Sequence, residues 1–74
     1  MMQHGYEIHP RNIRGGVDLI SDTLPFGRLW FRDANASIRY ARFISRSHSA
    51  TVIVYDASGA VLQKHEFQPD FVEP

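Results

Sequence analysis

Residues 50–59 read ATVIVYDASG, and this stretch decides the fold. Its first six residues are mostly β-branched or aromatic, which is typical of a strand. Asp56 and Gly59 bound a turn signal, because an aspartate carboxylate can bond the backbone two residues on and glycine adopts positive φ readily. The chain returns as a second strand over residues 60–67. The sequence therefore predicts a C-terminal β-hairpin.

Just before this hairpin, residues 34–47 have the periodicity of an amphipathic helix. Asp33 or Asn35 is the predicted N-cap, since a short side-chain oxygen can accept from the free amides of the first turn. One broad sector of the helix collects apolar and small side chains: Ala34, Ser37, Ile38, Tyr40, Ala41, Ile44 and Ser45. This face is suited to close packing on a sheet. His48 follows the last turn, where an imidazolium would suit the carbonyl end of the helix.

The N-terminal half contains three shorter strand patterns. Residues 6–9 alternate apolar and polar side chains, residues 17–20 follow a glycine pair, and residues 29–31 lead into the helix. The predicted order is β-β-(β)-α-β-β. We therefore expect an α+β domain whose single helix packs on one face of an antiparallel sheet of three to five strands.

The sequence resembles small uncharacterised bacterial β-β-α-β-β proteins. The residues that carry the resemblance are Tyr6, Ile8 and Pro10 at the start, Tyr40, Ala41 and residues 45–48 around the helix end, and Val54, Tyr55, Asp56 and Gly59 in the hairpin. The resemblance extends over most of the chain. It implies the same fold, and it implies no particular activity.

Composition limits the classes of protein to which the chain can belong. Its 74 residues fit one small domain, with residues 68–74 as an acidic and aromatic C-terminal tail. The sequence has no cysteine, so no disulfide can compensate for the limited core of so small a domain. The longest apolar run, residues 52–55, is far shorter than the ~20 residues of a membrane-spanning helix, and no signal peptide is visible. We expect a cytoplasmic protein that does not contact membranes.

The strand patterns predict apolar side chains on both faces of the sheet. Whichever alternate set of residues 51–55 faces the helix, the other set is also partly apolar, and Trp30 stands opposite Leu29 and Phe31 in the same way. Two explanations are open. The loop around Phe26 and the C-terminal tail cover the second face, or a second copy of the chain does so. Because the domain is small, we expect a homo-oligomer or another protein partner.

The helix also has a basic stripe. Arg39, Arg42 and Arg46 lie within about 60° of one another on a helical wheel, and Phe43 lies beside them on the polar side. Three interpretations are open: a solvated helix face, an interface with a protein, and a surface that binds single-stranded nucleic acid through phosphate contacts and base stacking. The zero net charge of the whole chain counts against nucleic acid.

The zero net charge conceals a division along the chain. Residues 1–48 contain seven arginines and four carboxylates, whereas residues 49–74 contain one lysine and four carboxylates. The two parts therefore carry formal charges of +3 and −3. We expect the acidic and aromatic tail, with Glu66, Asp70 and Glu73, to dock on the arginine stripe within one chain or between two copies.

The residues give little support for an enzyme. There is no cysteine nucleophile, and within residues 45–49 adjacent positions on a helix do not face each other, so the sequence alone shows no Ser-His dyad. His4 and His9, five residues apart on a strand, point to opposite faces, so a metal site would require His48 or His65 to approach one of them. We therefore predict no catalytic residue, no metal ligand and no cofactor.

Overall fold

The computed structural model describes residues 3–11, 15–24 and 27–69. One helix and five strands follow one another along these residues: β1 (Gln3–Pro10), β2 (Val17–Ile20), β3 (Arg28–Phe31), α1 (Ala34–Ile44), β4 (Ser49–Tyr55) and β5 (Val61–Phe67). The five strands form one sheet, and α1 packs against it. This confirms the predicted α+β class and the single helix, and the order is β-β-β-α-β-β.

The sheet is mixed, so the prediction of a purely antiparallel sheet is wrong. Its strand order is β3-β2-β1-β4-β5, and β1 and β4 pair in parallel while the other three pairs are antiparallel. The cause is the helical connection between β3 and β4. A helix that runs back across the sheet brings the next strand in parallel to the one before it. Since β3 already runs parallel to β1, β4 enters beside β1 in the same direction.

The helix is shorter than predicted and ends at Ile44 instead of residue 47. Asp33 is the N-cap, and its carboxylate accepts a hydrogen bond from the backbone N–H of Ala36 at 2.8 Å. Ser45 is the C-cap, and its backbone N–H donates to the carbonyl of Ala41 at 3.1 Å, while the N–H of Arg46 donates to the carbonyl of Phe43 at 3.3 Å. Serine competes for backbone hydrogen bonds and is a poor helix former, so the serines after Ile44 favour termination.

The core lies between α1 and one face of the sheet. Burial alternates regularly along β4, where Ala50, Val52 and Val54 are buried, so the Val52/Val54 set faces the helix. The buried apolar residues are Tyr6, Ile8, Leu19, Leu24, Ala41, Ala50, Val52 and Val54. Ser37 is fully buried within the helix face, as its position in the apolar sector predicts.

The predicted hairpin turn is confirmed. The carboxylate of Asp56 accepts from the backbone N–H groups of Ser58 and Ala60, at 2.9 and 3.0 Å, and from the Ser58 hydroxyl at 2.6 Å. These bonds, that of the Ser58 hydroxyl foremost, lower the pKa of Asp56. Gly59 has a φ of 92°, which explains the need for glycine at this position.

Candidate functional site

The face of the sheet opposite α1 is called the open face here. Strand alternation and register place the following residues, among others, on this face: Gly5, Glu7, His9, Asp18, Ile20, Arg28, Trp30, Thr51, Ile53, Tyr55, Lys64 and Glu66. Ile20, Ile53 and Tyr55 keep part of their surface exposed, and Trp30 is 49% exposed. The open face therefore combines apolar and charged side chains, as the sequence predicts for the second side of the sheet.

Trp30 is held in place at one edge of the open face. Its indole N–H donates to the carbonyl of Gly15 at 3.4 Å. The ring lies so close to Gly16 that a Cβ there would collide with the indole and would come within 2.7 Å of the Phe31 carbonyl. Gly16 also has a φ of 80°. Gly15 and Gly16 thus hold a half-exposed tryptophan in a fixed position. From the sequence they were predicted only as part of the loop before the second strand.

Two carboxylates of the open face form ion pairs, and a third, that of Glu7, is bonded to a histidine. Glu7 contacts the ring of His9 at 2.8 Å, and that ring stacks on Tyr55 with centroids 4.5 Å apart. Asp18 lies 3.6 Å from the guanidinium of Arg11. Lys64 and Glu66 form a further pair at 3.6 Å. Exposed pairs of this kind contribute little stability, but they leave the face without a large block of one charge.

A hollow of about 300 Å³ lies in the open face above Gly5. We call it the Gly5 hollow. Its lining includes Ile20 and Ile53, which are apolar, and Glu7 and Asp22, which carry carboxylates. Ser21, a buried residue at its margin, donates from its hydroxyl to the carbonyl of Gly5. The sequence interpretation did not identify this hollow, because it starts the first strand at residue 6, whereas β1 starts at Gln3 and includes Gly5.

The residues of the predicted basic stripe are exposed, but only Arg39, Arg42 and Phe43 belong to α1, because Arg46 follows the C-cap Ser45. Arg39, Arg42, Phe43 and Arg46, here the arginine surface, all have solvent access, and Phe43 is 62% exposed. Arg46 donates to the Phe43 carbonyl at 3.0 Å and lies over the Phe43 ring at 4.7 Å from its centroid. The guanidinium of Arg42 lies 5.2 Å from the centroid of Phe67 at the end of β5. The predicted proximity of Phe43 to the arginines is thus present in the structure.

The docking of the C-terminal tail is only partly within the described residues. Phe67 meets Arg42, but Glu66 lies on the open face, where it pairs with Thr51 across the strands and with Lys64 through its carboxylate. Glu66 therefore does not meet the arginine surface. The predicted contacts of Asp70 and Glu73, and the loop around Phe26, lie outside the described residues.

A hydrogen-bonded group that the sequence did not reveal joins the helix end to β1. The Ser45 hydroxyl, in a residue 2% exposed, is bonded to the Tyr6 hydroxyl and to Nδ1 of His4. His48 stacks on His4 with ring centroids 4.4 Å apart. We call these four residues the helix-end cluster. Partial burial, and to a lesser degree the charge of His48, lower the pKa of His4. Ser45 and His4 are 41 residues apart, so no local sequence pattern could predict their contact.

The helix-end cluster brings a serine and a histidine together, as nucleophilic catalysis requires, but the serine has almost no solvent access. The stacked, nearly parallel rings of His4 and His48 do not converge on one point in the manner of metal ligands. Within residues 3–11, 15–24 and 27–69, no group of three potential metal ligands occurs. As predicted, His4 and His9 lie on opposite faces, because His4 meets the helix end and His9 stacks on Tyr55.

None of the described residues belongs to a helix long and apolar enough to cross a membrane. Comparison of the chain with protein-family models, with curated proteins and with solved structures found no match. The resemblance to small bacterial proteins therefore stays a prediction, and function has to be argued from the surfaces described above.

Proposed function

We propose that this chain is a small non-catalytic interaction module that associates with a second copy of itself through the open face. The observation that carries the proposal is the half-exposed Trp30, which is seated by Gly15 and Gly16 on the same face of the sheet as the partly exposed Ile20 and Ile53. A rigid aromatic side chain with exposed apolar surface is typical of the residues that contribute most to a protein interface. A cytoplasmic setting, which the lack of cysteine favours, is part of the proposal.

The size of the open face supports pairing between two copies. Five strands that lie about 4.8 Å apart and average roughly 20 Å in length give the open face of one copy a flat area of about 480 Å². The uneven surface of the side chains is not included in this area. Two such faces would bury about 1,000 Å² in total, which is the lower limit expected of a specific interface. The ion pairs of Asp18 and Glu66 reduce repulsion between identical faces.

The test is the dissociation constant of self-association, measured by analytical ultracentrifugation. Trp30→Ala should weaken the dimer by about 2 kcal/mol, or roughly 30-fold, because it removes a large exposed aromatic side chain from the interface. Phe43→Ala is the matched control, since Phe43 is also exposed but lies on α1, away from the open face. It should change the constant by less than about twofold.

A second substitution distinguishes loss of the interface from an effect on folding. Because Trp30 packs on Gly16, its loss can also loosen the chain. Ile53→Lys places a charge in the middle of the open face without altering that contact, and it should also weaken the dimer at least about tenfold. Far-UV circular dichroism verifies that each variant is folded. Equal self-association of wild type, Trp30→Ala and Ile53→Lys would reject the proposal.

Nucleic acid is the second candidate partner, and the arginine surface is the feature that favours it. Phe43 is 62% exposed, and the guanidinium of Arg46 lies over its ring, so an aromatic platform stands beside cationic groups. Single-stranded nucleic acid is bound by this combination of stacking and phosphate contacts. The charge is modest, however, because the arginine surface has three arginines, two on α1 and one just after it, and the whole chain has a formal net charge of zero.

The nucleic-acid proposal predicts a steep dependence of affinity on salt, because phosphate contacts release bound counterions. Fluorescence anisotropy with a labelled single-stranded oligonucleotide measures it. Replacing Arg39, Arg42 and Arg46 by alanine should abolish binding, whereas Arg28→Ala, which changes an arginine on the sheet, should not. Absence of binding at about 50–100 mM salt would reject this candidate.

A further inference from the structure

Gly5 occupies a position where the fold itself does not need glycine. It lies inside β1, the central strand of the sheet, and it has no positive φ. A Cβ built on Gly5 meets no atom within 4 Å. Glycine weakens a strand because it adds backbone freedom and contributes no side chain, and within strands it often marks the close approach of another group. The open space above Gly5 therefore points to a contact from outside the chain.

The side chains that line the Gly5 hollow indicate which kind of group can bind there. Ile20 and Ile53 supply apolar walls, and Glu7 and Asp22 supply carboxylates. An arginine matches both parts, because its aliphatic stem packs on apolar surface while its guanidinium pairs with carboxylates. The volume of about 300 Å³ is at the lower end of the range for small-molecule pockets, and it suits a single side chain.

Among the cations of the open face, Arg28 is the one without an ion pair in the described residues. Lys64 is engaged with Glu66, and Arg11 with Asp18. Arg28 stands directly opposite Ile20, one strand beyond the wall of the hollow, and makes no ion pair with Glu7 of its own chain. We infer that the Gly5 hollow receives the Arg28 side chain of a second copy of this chain.

This inference rests on the proposed self-association and adds its main polar contact. In a two-fold symmetric dimer each copy offers the same surface, so an arginine and a hollow on one face form two equivalent contacts. Each contact joins Arg28 of one copy to the carboxylates around Gly5 of the other. The two contacts fix how the open faces are aligned, since charged pairs contribute orientation as well as affinity.

The experiment measures the dissociation constant of self-association for variants of both partners in this contact. Gly5→Val fills the hollow, and it should weaken the dimer at least about tenfold while raising the resistance of the monomer to urea, because valine favours a strand. Arg28→Glu should also weaken the dimer at least about tenfold, whereas Arg39→Glu, the same change on the helix, should have less than a twofold effect. Glu7→Arg combined with Arg28→Glu should recover most of the wild-type affinity.

The outcomes separate this inference from the proposed function. If the wild type associates and Trp30→Ala weakens it, but Gly5→Val and Arg28→Glu do not, self-association stands and the inference is overturned. If Gly5→Val weakens the dimer and Arg28→Glu does not, a different group enters the hollow and the assignment of Arg28 is wrong. A wild type that stays monomeric overturns both. Should Gly5→Val fail to fold, Arg28→Glu and the double variant with exchanged charges decide the question.

Discussion

Replacing Ser45 by alanine should destabilise the fold, because the Ser45 hydroxyl joins α1 to the start of β1. That hydroxyl is bonded to the Tyr6 hydroxyl and to Nδ1 of His4. Tyr6 is 2% exposed, so water cannot replace the lost partner. Leaving a buried hydroxyl unpaired costs about 1–3 kcal/mol, whereas the more accessible His4 can bond to water at little cost.

We therefore expect Ser45→Ala to lower the free energy of unfolding by about 2 kcal/mol. This is a large part of the roughly 4–11 kcal/mol expected for a domain of this length. For so small a domain, each kcal/mol shifts Tm by about 4–8 °C, which predicts a decrease of roughly 8–16 °C. Urea unfolding monitored by circular dichroism measures the free energy, and a thermal scan measures Tm.

Ser47→Ala is the matched control for Ser45→Ala. Ser47 is exposed, and its hydroxyl bonds only to the His48 ring at 3.2 Å. Its loss should change the free energy of unfolding by less than about 0.5 kcal/mol. Tyr6→Phe removes the partner hydroxyl, and combined with Ser45→Ala it should cost clearly less than the sum of the two single changes. Equal stability of the two serine variants would refute the reasoning.

Three further predictions concern ionisation and backbone geometry. The pKa of His4 is lowered in the folded chain, so the unfolded chain binds the proton more tightly. The contribution of His4 to stability should therefore be complete above about pH 6.5 and should decrease as the pH falls through this value. His4→Asn should remove that decrease, and a variant whose stability has the same pH profile as the wild type would contradict the prediction. Gly16→Ala should destabilise the chain more than Gly15→Ala in urea unfolding, since both residues have positive φ but only at Gly16 does a Cβ collide with Trp30. The lowered pKa of Asp56 means that its carboxylate stabilises the fold above about pH 4, and this stabilisation should be lost as the pH falls below that value. In thermal scans the Tm of Asp56→Asn should therefore approach that of the wild type at acidic pH. A difference in Tm that does not change with pH would contradict this explanation.

The elements that the sequence predicted well are those with local signals. Turn chemistry at Asp56 and Gly59 identified the hairpin, and helical periodicity identified α1, with Asp33 as one of two candidate N-caps. The parallel pairing of β1 and β4 was not predicted, because it depends on how the helix returns across the sheet. Pairing between strands far apart in sequence leaves no local trace in either strand.

In the candidate site, too, features with local sequence signals were predicted and features created by the fold were not. The exposure of Arg39, Arg42 and Phe43 follows from helical periodicity and is found in the structure, and Arg46, which lies just beyond α1, is exposed as well. The use of this surface by a partner is a proposal. An apolar second face of the sheet was also expected. The seat of Trp30 on Gly16, the Gly5 hollow and the helix-end cluster depend on side chains brought together by the fold, so only the structure reveals them.

The central claim is that two copies of the chain associate through the open face. Sedimentation equilibrium of the wild-type chain, from micromolar to near-millimolar concentration, tests it most directly. The account predicts a mass that rises with concentration to twice the 8.5 kDa of one chain, and a Trp30→Ala variant for which this rise needs a concentration about 30-fold higher. A wild-type mass of 8.5 kDa at every concentration would contradict the account.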